Sequence, residues 1–142
     1  MWLEIVKLAL PDWNTRTHTA QDFDSFCVDE HLKVVEMESG EWGFYTVHQG
    51  QPFIVLDPNM KGGFRLWVSW HEAAHHLLHI PETDFFTLQA SKNDWQANVV
   101  AACALIPITL LKQKSIWEIR EEFDYPIPLC FLRLMVYDRM KF

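Results

Sequence analysis

The chain has 142 residues, of which 49% are hydrophobic and 22% are charged. This composition excludes a disordered chain and a membrane protein, so we expect a single domain over residues 1–142 with no membrane segment. The net charge of −7 disfavours direct binding of nucleic acid, because such binding depends on positive groups that neutralise phosphates. The three widely spaced cysteines, Cys27, Cys103 and Cys130, favour reduced thiols in the cytoplasm over a disulfide framework.

The first half of the chain is predicted to contain one helix and a small sheet. Residues 19–32 carry apolar side chains at roughly helical spacing, and Thr19 is suited to cap this helix. Three β-like stretches follow, and a turn at residues 48–51 joins the last two as a hairpin. We therefore expect a small, mostly antiparallel, three-stranded sheet. Its strands are expected at residues 34–37, 42–47 and 52–56.

The second half of the chain is predicted to be helical. Pro81 and Pro107 each follow a long run with helical pattern and end it, because proline does not continue a helix. The fold class is therefore α+β, with the small sheet first and a helical half second. The expected helices cover residues 64–80, 91–106, 115–123 and 128–140.

The segment with the clearest chemistry is an HExxH motif in the first of these helices. His71 and His75 are four residues apart, which places both imidazoles on one helix face, one turn apart. Two neutral imidazoles in this arrangement can bind one Zn²⁺ ion. Glu72 then lies beside the metal and can accept a proton from a water there. The alternative is a helix with a histidine-rich, solvated face.

A catalytic zinc site needs a third protein ligand and one open position. A Gly and a His further along the same segment are excluded, because the required positions hold Leu78 and Pro81. A carboxylate on the next helix is the other solution, and Asp94 lies 19 residues after His75. Asp94 has a competing interpretation as part of a capping box with Ser91, and Glu82 is a rival ligand.

These motifs form an ordered series. HEAAHHLLH at residues 71–79 is followed by DWQAN at 94–98 and by AACALIP at 101–107. The series resembles the ImmA/IrrE family of metallopeptidases. In that family HExxH, usually with a further His four residues on, precedes a Glu-x-x-Ala-Asn helix and an alanine-rich stretch that ends in Leu-x-Pro.

The resemblance implies that residues 1–142 form one ImmA/IrrE-like metallopeptidase domain. It implies His71 and His75 as zinc ligands and Glu72 as the general base. Asp94 stands where the family has its ligand Glu. Because Asp is one methylene shorter, either the two helices approach more closely or the coordination is weaker.

The function implied by the resemblance is that of a zinc-dependent endopeptidase. Its substrate would be a specific protein partner, namely a helix-turn-helix transcriptional repressor in a stress response. The acidity of the chain permits a separate basic repressor as partner. The shorter Asp94 leaves an alternative open, in which a zinc-stabilised, non-catalytic protein sequesters such a regulator. A metal-free globular domain is the third possibility.

Other side chains receive less specific predictions. His76 is interpreted as a surface or packing residue. His79 is interpreted as a residue that contacts a metal ligand without binding the metal, or as a residue at the end of the helix. Trp117 and Phe131 could form a patch that docks a partner, although a structural role is the simpler interpretation. The residue that stabilises an oxyanion is left open among Tyr45, His48, Tyr125 and Arg133.

Overall fold

The computed structural model describes the backbone of residues 1–78 and 88–142, and the side chains of all of these except 88–91. Within these ranges the chain forms an α+β fold in which two helices precede a three-stranded sheet and five follow it. The strands are β1 (Lys33–Glu36), β2 (Gly43–His48) and β3 (Gln51–Leu56). The helices are α1 (Trp2–Ala9), α2 (Ala20–Asp29), α3 (Gly62–Leu78), α4 (Leu88–Leu105), α5 (Ile108–Gln113), α6 (Ile116–Phe123) and α7 (Ile127–Met140).

The sheet is mixed, and its strand order is β1-β3-β2. β1 pairs in parallel with β3, where Val34 lies opposite Ile54, whereas β2 pairs antiparallel with β3, where Tyr45 lies opposite Ile54. The expectation of a mostly antiparallel sheet is therefore wrong for one of the two pairings. β1 lies on the far side of β3 rather than beside β2, and no local sequence pattern specifies that choice.

The predicted hairpin joins β2 and β3. Gln49 and Gly50 both have positive φ values, of 49° and 78°, and they separate the paired residues His48 and Gln51. A two-residue turn with this backbone matches the twist of the strands that it connects. The antiparallel half of the sheet is thus fixed locally, and β2 forms one outer edge of the sheet among the described strands.

The helix predicted at residues 19–32 is α2. Thr19 caps it, because its side chain accepts a hydrogen bond from the backbone of Asp22 while the Asp22 carboxylate accepts one from the backbone of Thr19. The helix ends at Asp29, earlier than predicted, since His31 adopts a left-handed conformation with φ of 54°.

The long helices α3 and α4 pack against each other and form the centre of the core. Trp70, Ala73 and Ala74 on α3 are buried, and from Ala97 onward α4 is almost entirely buried. The small side chains on both helices permit a close approach of the two backbones. In the described ranges, no helix has both the length and the apolar character needed to cross a bilayer.

Candidate metal centre

Helix α3 places the two histidines of the motif at the edge of a cavity. The ring centroids of His71 and His75 are 4.8 Å apart, as expected for residues one turn apart on the same face. His75 is buried, while the side chain of His71 is 20% exposed. Their Nε2 atoms lie 3.1 Å from each other, so both rings point at a common position.

Helix α4 brings Asp94 to the same position. The Oδ1 atom of Asp94 lies 3.2 Å from His71 Nε2 and 3.3 Å from His75 Nε2. Two imidazole nitrogens and one carboxylate oxygen therefore form a nearly equilateral triangle. The structure thus brings together the three residues that the sequence singled out as ligands.

This triangle has the dimensions that a zinc ion requires. With ligand bonds of about 2.0–2.1 Å at tetrahedral angles, neighbouring ligand atoms lie about 3.3 Å apart. The donor chemistry also fits, because imidazole and carboxylate are both common zinc ligands. A single proton can form a hydrogen bond between only two of these three atoms. A metal cation beside the triangle can contact all three. The residues present therefore fit zinc.

Asp94 reaches the histidines because α3 and α4 lie close together. Ala97, one turn after Asp94, is fully buried, and its small side chain is compatible with a close approach of the two helices. The packing of α3 against α4 is therefore close enough for the shorter side chain of Asp94 to reach both histidines. Hydrogen bonds with the two histidines hold the pKa of the Asp94 carboxyl well below its usual range, and the bond with His71 has the larger effect.

The competing interpretation of Asp94 as part of a capping box is wrong. Helix α4 begins at Leu88, so Ser91 lies inside the helix rather than at its cap, and Asp94 lies farther along. The rival ligand Glu82 and the further histidine His79 lie outside the described residues.

Glu72 is buried beside the two histidines. One carboxylate oxygen of Glu72 and one nitrogen each of His71 and His75 lie within 4.8 Å of one another, and the exposed fraction of Glu72 is 6%. The carboxylate also borders the cavity. It lies next to the triangle, and its distance from the two histidines suits either a further metal ligand or a general base.

The cavity has a volume of about 560 Å³ and two chemically distinct sides. The polar side comes from α3 and α4 and includes Asn98, which follows Asp94 by four residues. The other side is aromatic: the ring of Trp42 packs edge-on against Phe64 at 5.3 Å, and Phe64 packs against Trp67 at 6.3 Å. The cavity can therefore hold both a polar group and a large apolar group.

Sequence reasoning missed several of these lining residues. Asn98 could have been found, because a spacing of four residues from Asp94 places it on the same face of α4. Trp67 packs against the hydrophobic core and also lines the cavity. Trp42 and Phe64 also line the cavity, and beside them Gly43 lets β2 begin directly against α3. A Cβ atom on Gly43 would lie only 2.6 Å from Val68 Cγ1.

Of the four candidates for oxyanion stabilisation, Tyr45 alone lines the cavity. The hydroxyl of Tyr125 donates a hydrogen bond to the carbonyl of Leu105, and Arg133 is fully buried and donates to the carbonyls of Ile106 and Phe142. His48 lies at the exposed end of β2. The other three are therefore placed elsewhere in the fold.

His76 is buried rather than at the surface. Its Nδ1 atom lies 3.0 Å from the hydroxyl of Tyr45, and its Nε2 atom lies 3.1 Å from Glu30 Oε1. The ring thus connects α3 with β2 and with the end of α2. Of the two predicted roles, at the surface or in packing, the structure supports packing, with polar partners that the sequence did not indicate.

Comparison with known proteins gives one match. Residues 29–124, about two thirds of the chain, match the family model of the M78 peptidases described as the IrrE N-terminal-like domain. The matched range contains the whole sheet and both helices that carry the triangle. No curated protein and no solved structure matches the chain. The resemblance stated from the motifs alone is therefore confirmed.

Proposed function

The chain belongs to the IrrE N-terminal-like family of M78 peptidases, and on this premise we propose that it is a zinc-dependent endopeptidase of one domain. The observation that carries the proposal is the triangle of His71 Nε2, His75 Nε2 and Asp94 Oδ1, with sides of 3.1–3.3 Å. The group beside it, Glu72, is a carboxylate buried at the cavity wall.

In this proposal His71, His75 and Asp94 hold the zinc ion, and Glu72 moves the protons. When bound, zinc supplies a Lewis acid that polarises the scissile carbonyl and makes a nearby water more acidic. Glu72 accepts a proton from the attacking water and later delivers it to the nitrogen of the leaving amine. The low exposure of Glu72 keeps bulk water from competing for that proton transfer.

The proposed substrate is a peptide bond in a specific protein partner, namely a helix-turn-helix repressor. The support is indirect: the family resemblance suggests such a partner, and the net charge of −7 favours association with a basic protein. The three cysteines are free thiols, which agrees with the cytoplasm as the proposed location.

A second candidate function is that of a zinc-stabilised protein which binds and sequesters the same regulator without cutting it. The observation that favours it is the exposure of Asp94, whose side chain is 66% exposed. A short and exposed ligand can bind a metal that stabilises the fold and still fail to maintain the coordination geometry that hydrolysis needs.

One set of variants decides between the two functions. The zinc-loaded wild type, Glu72→Gln and Asp94→Ala are each incubated with a purified basic repressor. Glu121→Gln, which changes an exposed carboxylate on α6, serves as the control. Fragments are identified by mass spectrometry, and zinc content is measured by elemental analysis.

We expect the wild type and the control to produce the same fragments. Glu72→Gln should keep its zinc and cleave about 10²–10⁴-fold more slowly, since general base catalysis contributes about that much. Asp94→Ala should lose most of its zinc. A stable complex with intact repressor in every case would favour the sequestering protein, and full cleavage by Glu72→Gln would contradict the proposed mechanism.

A further inference from the structure

The aromatic side of the cavity continues the face of α3 that carries the two histidines. Phe64 and Trp67 precede His71 by seven and four residues, which places the three side chains on one face of the helix. All three line the cavity. At a rise of about 1.5 Å per residue, the two aromatic positions lie about 10 Å and 6 Å along the helix from His71. An aromatic surface therefore begins within about two to three residues of extended peptide from the metal triangle.

Trp42 extends this aromatic surface from the side of the sheet. Its backbone carbonyl accepts a hydrogen bond from the backbone N–H of Asp57 at 2.8 Å, which holds the chain directly before β2. Its ring packs edge-on against Phe64 at an interplanar angle of 88°, and Phe64 packs in the same way against Trp67 at 83°. Because each ring contacts the next, the three rings from two parts of the chain form one continuous surface.

The rest of the chain covers this surface only in part. Trp42 is 55% exposed, and Phe64 and Trp67 are half-buried. Covering apolar area of this kind with another apolar group is favourable, because it removes both from water. The space is also sufficient, since an apolar cavity of about 150 Å³ can bind a benzene ring and this cavity has a volume of about 560 Å³. A large apolar side chain therefore fits beside the metal triangle.

A basic side chain is the alternative occupant, because a cation can bind over an aromatic ring. Among the described residues that line the cavity, the carboxylates are Glu41, Glu72 and Asp94. Glu72 and Asp94 belong to the metal cluster, and Glu41 is exposed, where an ion pair contributes little. Phe44 and Val68 add further apolar groups to the lining. The lining thus favours an apolar occupant over a basic one.

We propose that Trp42, Phe64 and Trp67 form a subsite that binds a large apolar side chain of the peptide, within three residues of the bond that is cut. The choice of a peptide as ligand rests on the proposed function. The three residues then determine specificity, because they contact a substrate side chain rather than the reacting atoms. Small and charged side chains gain little from this subsite, since the favourable free energy depends on the apolar area that is buried.

The proposal is tested with capped pentapeptides of alanine whose central residue is alanine, leucine, phenylalanine or lysine. Binding to the zinc-loaded Glu72→Gln chain is measured by NMR titration and repeated in Glu72→Gln/Trp42→Ala. Glu72→Gln/Trp117→Ala is the matched control. Trp117 is 59% exposed and packs edge-on against Phe131 at an interplanar angle of 90°, but it lies on α6 rather than among the described residues that line the cavity.

We expect the phenylalanine peptide to bind the Glu72→Gln chain at least about tenfold more tightly than the alanine peptide, with leucine in between. The lysine peptide should bind no better than the alanine peptide. Trp42→Ala should lower the preference for phenylalanine at least about threefold, and Trp117→Ala should leave it unchanged. Equal binding of phenylalanine and alanine, tighter binding of lysine, an equal loss in both tryptophan variants, or no saturable binding overturns the subsite.

The position of the bound side chain is measured separately, so that the test does not depend on the folding of Trp42→Ala. The Glu72→Gln chain is labelled with ¹⁵N in tryptophan, and the indole N–H signals of Trp42 and Trp117 are identified by their loss in the conservative variants Trp42→Phe and Trp117→Phe. The phenylalanine peptide should shift the Trp42 signal and leave the Trp117 signal in place. An unmoved Trp42 signal at saturation overturns its place in the subsite.

These readouts do not use cleavage, so the two proposals can fail separately. A chain that prefers the phenylalanine peptide and shifts the Trp42 signal, but never cuts, contradicts only the proposed function. Where the wild type cuts a repressor, the fragment masses should place a large apolar residue within three positions of the cut bond. A chain that cuts at a site without such a residue, and binds the peptides without preference, contradicts only the subsite.

Discussion

Two clusters of polar side chains lie inside this fold, and they differ in what their atoms face. The first is the metal cluster of His71, Glu72, His75 and Asp94, which borders a cavity of about 560 Å³. The second surrounds Arg133 on α7, which is fully buried. Arg133 lies where the hydrophobic core would otherwise continue, whereas the metal cluster joins the buried Glu72 and His75 to the exposed Asp94.

The Arg133 cluster consists of hydrogen bonds that end inside the protein. Its guanidinium donates to the carbonyls of Ile106 and Phe142 and to the side-chain oxygen of Asn14, which links the end of α4, α7 and the segment after α1. In the metal cluster, by contrast, three acceptor-capable atoms converge at the edge of a cavity. Burial of polar groups alone is therefore a poor sign of a functional site, and convergence of ligand atoms beside open space is a better one.

The largest expected difference between the clusters is their response to metal removal. Zinc that binds only the folded state stabilises it, by about 4 kcal/mol when free zinc exceeds its dissociation constant a thousandfold. We expect a chelator to lower the free energy of unfolding of the wild type by an amount of that order, measured by urea denaturation. Asp94→Ala should show little response to the chelator. If the chelator lowers the free energy of unfolding equally in both chains, the metal cluster does not bind zinc through Asp94.

A smaller effect is expected from the second cluster. Arg133→Met keeps much of the buried volume and removes the donors of three acceptors, which should cost about 2–4 kcal/mol of stability in the presence of zinc. Zinc content should not change. The control is Arg120→Met, at an exposed position on α6, which should stay within about 0.5 kcal/mol of the wild type. Loss of zinc from Arg133→Met would show that the two clusters are coupled.

The smallest effect is expected from lengthening the third ligand. Asp94 Oδ1 already lies 3.2–3.3 Å from both imidazole nitrogens, so the spacing of α3 and α4 suits the shorter carboxylate. We expect Asp94→Glu to bind zinc about tenfold more weakly, because the extra methylene displaces the oxygen from this position. Competition with a fluorescent chelator measures the change. Tighter binding in Asp94→Glu would mean that the helices are too far apart for Asp.

Much of the site could be predicted because its information is local. The spacing of His71 and His75 determines their common face once the segment is helical. Asp94 could be proposed from its interval after His75, but its distance from the rings depends on how closely α3 and α4 pack. The contacts of His76 with Tyr45 and Glu30 join three separate elements, and no local pattern indicated them.

As with the site, the local features of the fold could be predicted from the sequence and the long-range ones could not. Helices with a clear cap or a following proline were found, and the Thr19 cap is confirmed by its reciprocal hydrogen bonds with Asp22. The helices α1 and α5, with eight and six residues, were missed because such short segments carry little periodicity. The expectation of a mostly antiparallel sheet was wrong for β1, because its parallel pairing with β3 is a long-range choice.

Zinc K-edge X-ray absorption of the zinc-loaded chain tests the central claim most directly. We predict one zinc ion per chain with two imidazole nitrogens and one carboxylate oxygen in its first coordination shell, at about 2.0–2.1 Å. The imidazole signal should disappear in the double variant His71→Ala/His75→Ala. A shell that contains sulfur, or one without imidazole in the wild type, would contradict the account.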